Sequence, residues 1–190
     1  MSESQDTSGK GEANNGEKGQ VQFRIERLFL KDSSFESPNS PEVFIKQWRP
    51  EIKVDINTRA NSLGEDLQEV ILTATITASL EGEMVGFIVE VQQAGIFLIQ
   101  GAEPSQLSQI IGIACPNTLF PYLRETIDNL VVKGGFPALQ LAQVNFEALY
   151  VQAMQERDQL EQAGNEGQQD PSDVTTHWFN LIRSDSMSQR

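Results

Sequence analysis

The chain has 190 residues, and 27 Asp and Glu against 14 Lys and Arg leave it a formal net charge of −13. That length suits one domain with tails, and the acid excess excludes nucleic acid as the main partner and argues against an anionic membrane surface, since both need clustered Lys and Arg. No run approaches the roughly 20 apolar residues of a spanning helix, the N-terminus lacks the basic start and apolar stretch of a signal peptide, and the one cysteine, Cys115, permits no intrachain disulfide, which fits a reducing cytoplasm.

Residues 1–20 hold four acids, two bases and four Gly among Ser, Asn and Gln. That composition buries too little apolar surface to offset the entropy of ordering, so a disordered tail is expected. Residues 21–154, with 16 acids and nine bases, form the expected folded body. It opens with a strand's period-2 alternation, Val21, Phe23 and Ile25 against Gln22, Arg24 and Glu26. Leu28 and Leu30 follow in the opposite phase, which predicts a bulge or bend near Arg27. Residues 31–51 contain Pro38, Pro41 and Pro50 and are predicted to be a connection, since three prolines exclude a central strand. Phe35, Val43, Phe44, Ile45 and Trp48 make this connection unusually apolar for a loop. Two readings stand: it folds back over one sheet face and completes the core, or its aromatics line an exposed groove for apolar ligands or peptides.

Ile52, Val54 and Ile56 resume the alternation. LQEVILTATITASL (67–80) and MVGFIVEVQQ (84–93) read as two more strands around a turn at Glu81-Gly82-Glu83, and Ala94-Gly95 is expected to break or bulge the last one. In that strand Val85, Phe87, Val89 and Val91 share one face, and Met84, Gly86, Ile88 and Glu90 share the other. Both faces are apolar enough to need cover, from helices or from a second subunit. Gln92 and Gln93 end the strand with side chains able to pair across an interface.

The second half changes period. Pro104 suits a first helical turn, and Leu107, Ile110, Ile111 and Ala114 form a helical apolar stripe. Pro116 and Pro121 are expected to stop or kink this helix. LRETIDNLVVK (123–133) then closes at Gly134-Gly135, a helix cap. Asn145 is the expected N-cap of a final helix over 146–162, with Phe146, Leu149, Tyr150 and Ala153 on one side. Residues 155–190 are expected to hold the end of that helix and a mostly disordered tail. Strands followed by helices indicate an α+β fold with an antiparallel sheet.

The residues offer little for catalysis. His177 is the only histidine, so a Ser-His or Cys-His site would need that one residue from the tail. Cys115, beside a proline in an apolar helix, reads as a small buried hydrophobe. Soft ligands are too few for a thiolate or imidazole zinc cluster, and no GxxxxGK[ST] or GxGxxG loop occurs. The paired acids Glu65-Asp66 and Glu81/Glu83 sit at turns and read as solvated surface. No catalytic residue, metal or cofactor is expected, and the chain does not read as an enzyme.

One series of segments is highly specific: KDSSFESPNSPEVF (31–44), the WRPE beginning at Trp48, VEVQQAGIF (89–97), and ACPNTLFPYLRETIDNLVVKGGFPALQLAQVNFEALY (114–150). In these segments, which run along nearly all of residues 21–154, the chain resembles SecB, the bacterial protein-export chaperone family. The resemblance implies a four-stranded antiparallel sheet followed by two main helices, assembled as a dimer of dimers. It implies a cytoplasmic holdase that keeps precursor proteins unfolded in apolar grooves and delivers them to the SecA motor ATPase. It implies no hydrolysis, no cofactor, no nucleic acid and no direct membrane insertion. By residue, it assigns Asp32, Glu36, Ile88 and Glu90 to an acidic sheet surface that docks SecA. It assigns Phe44 and Trp48 to the border of the client groove, and Val89, Val91 and Gln93 to the tetramer interface.

The tails depart from that family. Residues 1–20 are longer than usual and have no assigned role, and VTTHWFNLIRSDSMSQR after Asp173 does not match the family's C-terminal pattern. Val174, Trp178, Phe179, Leu181 and Ile182 make an apolar island there: a fortuitous stretch, a short partner-binding motif, or a plug for the groove. A same-fold chaperone dedicated to one client, such as a toxin–antitoxin component, is the alternative function.

Overall fold

The computed structural model describes residues 21–164. The two expected tails, with His177 and the 174–182 island, lie outside the described residues beyond that point. Four strands, β1 (Gln22–Glu36), β2 (Glu51–Ser62), β3 (Leu67–Leu80) and β4 (Met84–Gln100), form one antiparallel sheet in the order β1-β4-β3-β2. Helices follow: α1 (Pro104–Gln109), a π turn (Ile110–Ala114), α2 (Cys115–Lys133) and α3 (Phe146–Gly164). The strands-then-helices α+β order read from the sequence is the order found.

β1 is an edge strand with two register shifts, between Ile25 and Arg27 and between Leu30 and Asp32. The first is the expected bulge near Arg27. The second inserts Lys31 and reverses the inward phase again, so that β1 runs on to Glu36 and the connection begins only at Ser37. A polar edge strand that changes phase twice has no sustained alternation, which is why residues 31–36 read as loop. The extra residue is used: Lys31 Nζ reaches past β4 to Glu69 Oε1 on β3 at 2.6 Å. This ammonium, with Asn61, holds the Glu69 carboxyl below its ordinary range against its partial desolvation.

β4 passes through Ala94-Gly95 without a break. Ala94 pairs with Phe29 and Ile71, and Gly95 with Leu28 and Val70. Gly95 is required by packing: a β-carbon there would lie 2.7 Å from the Phe97 ring and 3.0 Å from Leu28.

The helical half also differs from expectation at its prolines. Pro116 does not stop the helix, because the preceding turn widens; Cys115 N–H donates to Ile110 O, five residues back, and the ladder shifts past the missing N–H. Pro121 lies inside α2 on its solvent side. The Gly134-Gly135 cap is as expected. Gly135 N–H donates to Val132 O and Phe136 N–H to Val131 O, with Gly135 at φ +85° and Phe136 buried, a Schellman closure. Asn145 caps α3, its Oδ1 accepting from Ala148 N–H at 3.0 Å.

The core lies between one sheet face and α2. Leu72, Ala74, Ile76 and Ala78 of β3, with Phe87, Val89, Val91 and Phe97 of β4, meet Leu119, Leu123, Ile127 and Val131, one row of α2 at four-residue spacing. Val89, Val91 and Gln93 lie on this same face. Val89 and Val91 have no exposed surface and Gln93 only 4%, because the chain's own helix covers them. Within the chain, α2 packs on this face of β4.

Candidate functional site

Antiparallel partners share a sheet face, and the ladder assembles the outer face row by row. Glu36 pairs with Ile88, Ser34 with Glu90, and Asp32 with Gln92; on the other side of β4, Thr77, Thr75 and Thr73 pair with the same three residues. Asp32, Glu36, Ile88 and Glu90 therefore lie on one face, opposite the α2-packed core. The Lys31 bulge sets this phase. Without it, Asp32 and Glu36 would turn inward.

Glu90 is half-buried and held through both oxygens. Thr75 Oγ1 donates to Oε2 and Gln92 Nε2 donates to Oε1, each at 3.3 Å. Gln92 thus braces Glu90 within the chain. The neighbouring acids Asp32 and Glu36 are exposed. With β-branched threonines beside it, this surface is flat, polar and acidic, with Ile88 as its apolar member.

The second region is the crossover between β1 and β2, residues 37–50. Ser37 Oγ donates to Gly86 O at 2.8 Å and Asn39 Nδ2 to Val85 O at 2.9 Å, tying the crossover to the start of β4. Val43 is buried, and the Trp48 ring lies on Gly86, where a β-carbon would come within 2.9 Å. Phe136 stands at the centre of the aromatic group: its ring centroid is 5.0 Å from Phe44, 5.0 Å from Trp48, 5.1 Å from Phe87 and 6.2 Å from Phe35. Phe35 in turn stacks on Phe87 at 5.8 Å and lies against Gly134, whose missing side chain leaves it room.

The residues of the crossover divide by burial. Val43 and Trp48 complete the core, while Phe44 is 50% exposed and Ile45 84% exposed. Aromatic rings of this size bury roughly 150–250 Å² each, worth several kcal/mol at about 25 cal/mol per Å². The cluster is a fixed wall carrying an apolar exposed rim. Phe136 was not singled out from the sequence; the signal was its place just past a Gly-Gly cap, where an apolar residue folds back onto the helix.

Burial pushes the Cys115 thiol up to about 12, so it stays protonated. Among the described residues there is no group of three or more His, Cys, Asp or Glu able to hold a metal ion, and no helix long and apolar enough to cross a membrane.

A four-stranded antiparallel sheet followed by helices is the fold of a SecB-like chaperone. A solved SecB-like chaperone of Mycobacterium tuberculosis, in complex with a ChAD peptide from the HigA1 antitoxin, has this fold. It matches with a TM-score of 0.54 over 65% of this chain and 91% of that one, at 12% identity, a likeness of fold alone. The profile of preprotein translocase subunit SecB matches residues 16–157, and the chain belongs to the SecB family. Among its relatives, the protein-export protein SecB of Marinobacter nauticus is 50% identical over 86% of this chain and 95% of its own length. That of Hahella chejuensis is 53% identical over 74% and 87%, and that of Pseudomonas syringae pv. tomato 50% identical over 84% and 94%.

Proposed function

We propose that the protein is a non-enzymatic, cytoplasmic export chaperone. It binds unfolded precursor proteins along the aromatic crossover and hands them to the SecA motor through the outer sheet face. The observation that carries this reading is the exposed apolar rim of Phe44 and Ile45 on a wall fixed by Phe136, Trp48 and Phe87. An unfolded client gains by burying apolar side chains there, with no need for a particular sequence. Asp32, Glu36, Ile88 and Glu90 form the docking surface, where charge steers encounter and Ile88 adds contact.

Assembly as a dimer of dimers completes the reading. Support comes from apolar surface that one chain leaves open: Phe23, Ile25 and Leu30 on β1 are 41–48% exposed, and Tyr122 and Val132 on α2 are 50% and 52% exposed. Val89, Val91 and Gln93 act on assembly indirectly, by setting how α2 lies on the sheet. Several grooves per assembly then supply avidity.

Light scattering with an unfolded precursor and SecA tests the whole reading. Tetramer mass, suppressed aggregation and a co-migrating motor complex are expected. Equal aggregation with and without the protein would refute the holdase, and client capture without SecA binding would favour a chaperone with a dedicated client.

A further inference from the structure

We propose that the outer sheet face carries a second docking field, towards Leu98, for client segments that hold two acids spaced about an apolar residue. This goes beyond the acidic surface beside it and rests on the reading of the protein as a holder of unfolded chains.

Charge on the outer face is divided. The rows that contain Asp32, Glu36, Glu90 and Asp55 set these four acids against one base, Lys53. Further along the same face lie Arg24, Arg27, Lys31 and Arg59, four of the nine bases of residues 21–154, against Glu26 and Glu69. Both acids are already taken, Glu26 by Arg24 at 2.6 Å and Glu69 by Lys31 at 2.6 Å. Asp66, at the far margin, accepts from Gln100 Nε2 at 2.8 Å. Among the described residues, exposed Arg27 and Arg59 form no ion pair, though Arg59 is near enough to Glu69 to help lower its carboxyl. On a net acidic body, this field has bases to spare and draws an acidic segment.

Apolar side chains lie between the two arginines. One outer row is Arg59, Ile71, Ala94 and Phe29; the next is Asn61, Glu69, Ile96 and Arg27. Leu98 follows, opposite Arg24. Ile71 and Ala94 are buried and form a floor, and Phe29, Ile96 and Leu98 are half-buried around it. None of the five belongs to the core packed on α2. A hollow of about 220 Å³ opens beside Leu98 and Arg24. The Lys31–Glu69 pair, extended by Asn61 Nδ2 to Glu69 Oε2 at 2.9 Å, crosses the sheet between this field and the acidic one.

Spacing then specifies the ligand. Arg59 on β2 and Arg27 on β1 are three strand spacings and one two-residue step apart, about 16 Å. Acids at positions i and i+4 of an extended segment are about 13 Å apart, and residue i+2 points to the same side between them. The long arginine side chains take up the difference. An acid–x–apolar–x–acid segment therefore sets its carboxylates on the two arginines and its apolar residue on Ile96. A client held both here and at the crossover rim gains avidity from two unlike sites.

Full-length protein with labelled Ile and Leu methyls is titrated with the peptide Ser-Glu-Thr-Leu-Thr-Glu-Ser and with versions carrying Gln or Lys for Glu. The Glu peptide should shift the Ile96 and Leu98 methyls. Its affinity should be several-fold above that of the Gln version at low salt and equal to it at about 0.5 M salt. The Lys version should leave Ile96 unmoved. Arg27→Gln with Arg59→Gln, at exposed positions, should abolish the Glu-over-Gln preference at unchanged Tm. Ile96 shifts as large with Gln or Lys as with Glu, or an unchanged preference in the double variant, overturn the proposal. A rise in light-scattering mass that the double variant abolishes gives the field to the acidic half of a second copy and also overturns it. If Ile45 responds to an unfolded precursor while Ile96 and Leu98 are silent to the Glu peptide, the chaperone reading stands and this field falls. If no methyl responds to any of these chains and aggregation is not suppressed, the chaperone reading falls and the field with it.

Discussion

The Tyr150 ring of α3 is seated on Gly112 in the π turn: a β-carbon at residue 112 would overlap the ring, and the Tyr150 hydroxyl donates to Ser108 Oγ at 3.0 Å. With the Asn145 cap and buried Phe146, this seat ties α3 to the body. Gly112→Ala gains about 0.5–1 kcal/mol of helix propensity, but displacing a packed ring costs about 1–3 kcal/mol. Amide exchange in α3 should therefore speed up several-fold while β3 and β4 stay protected. Tyr150→Phe, which keeps the ring and loses about 1 kcal/mol of hydrogen bond, should fall between. Wild-type protection of α3 in Gly112→Ala would show that the seat does not hold the helix.

Cys115 gives a pH signature. Its thiol is raised from 9.0 to about 12 by burial alone. Above pH 9 the unfolded chain ionises and the native one does not, so the native state binds more protons and stability falls as pH rises. The contribution is intact below pH 9 and lost between pH 9 and 12, at up to about 1.4 kcal/mol per unit. Urea midpoints of wild type and Cys115→Ala, compared across that window, should converge as pH rises. A constant difference would mean that the buried thiol ionises as readily as a free one.

How much of this was readable in the sequence depended on whether a pattern was local. β3 was readable to the residue because it is a run rich in β-branched residues, Leu67–Leu80, ended by the turn at Glu81-Gly82-Glu83. The Gly134-Gly135 and Asn145 caps were readable because each is a short-range hydrogen-bond device. Residues 31–36 were lost because the Lys31 bulge hides a strand's phase, and Gly95 was misread because its reason is the Phe97 ring and Leu28, one of them on another strand. The grouping of Asp32, Glu36, Ile88 and Glu90 follows from β1–β4 register, which no single segment reveals. Periodicity separated the Val89 face from the Ile88 face but could not say that α2 packs on it.

The outer face makes a salt-dependent prediction. Asp32→Asn with Glu90→Gln removes two charges while keeping shape, and Gln still bonds to Thr75. SecA association should slow several-fold at low salt, with the difference shrinking towards nothing at about 0.5 M salt as screening sets in. Melting temperature and client capture should not move. Ile88→Ser, which removes apolar contact, should instead raise the dissociation rate at every salt concentration. An equal SecA on-rate for the double variant would remove the docking role of these acids.

Phe136 and Phe44 are neighbours with opposite expected phenotypes. Phe136 is 5% exposed and touches four aromatic rings, so Phe136→Ala should cost about 3–5 kcal/mol, the range for deleting a buried ring. Trp48, losing a ring 5.0 Å away, should report the cavity by a shift in emission. Phe44 is half exposed, so Phe44→Ser should cost under about 1 kcal/mol, as surface changes do. Yet it removes the ring that forms the rim, and client affinity should fall several-fold at unchanged Tm. The pair separates wall from rim: a Phe44→Ser protein that melts early would make Phe44 a core residue, and one that melts normally but captures client as well as wild type would move the groove elsewhere.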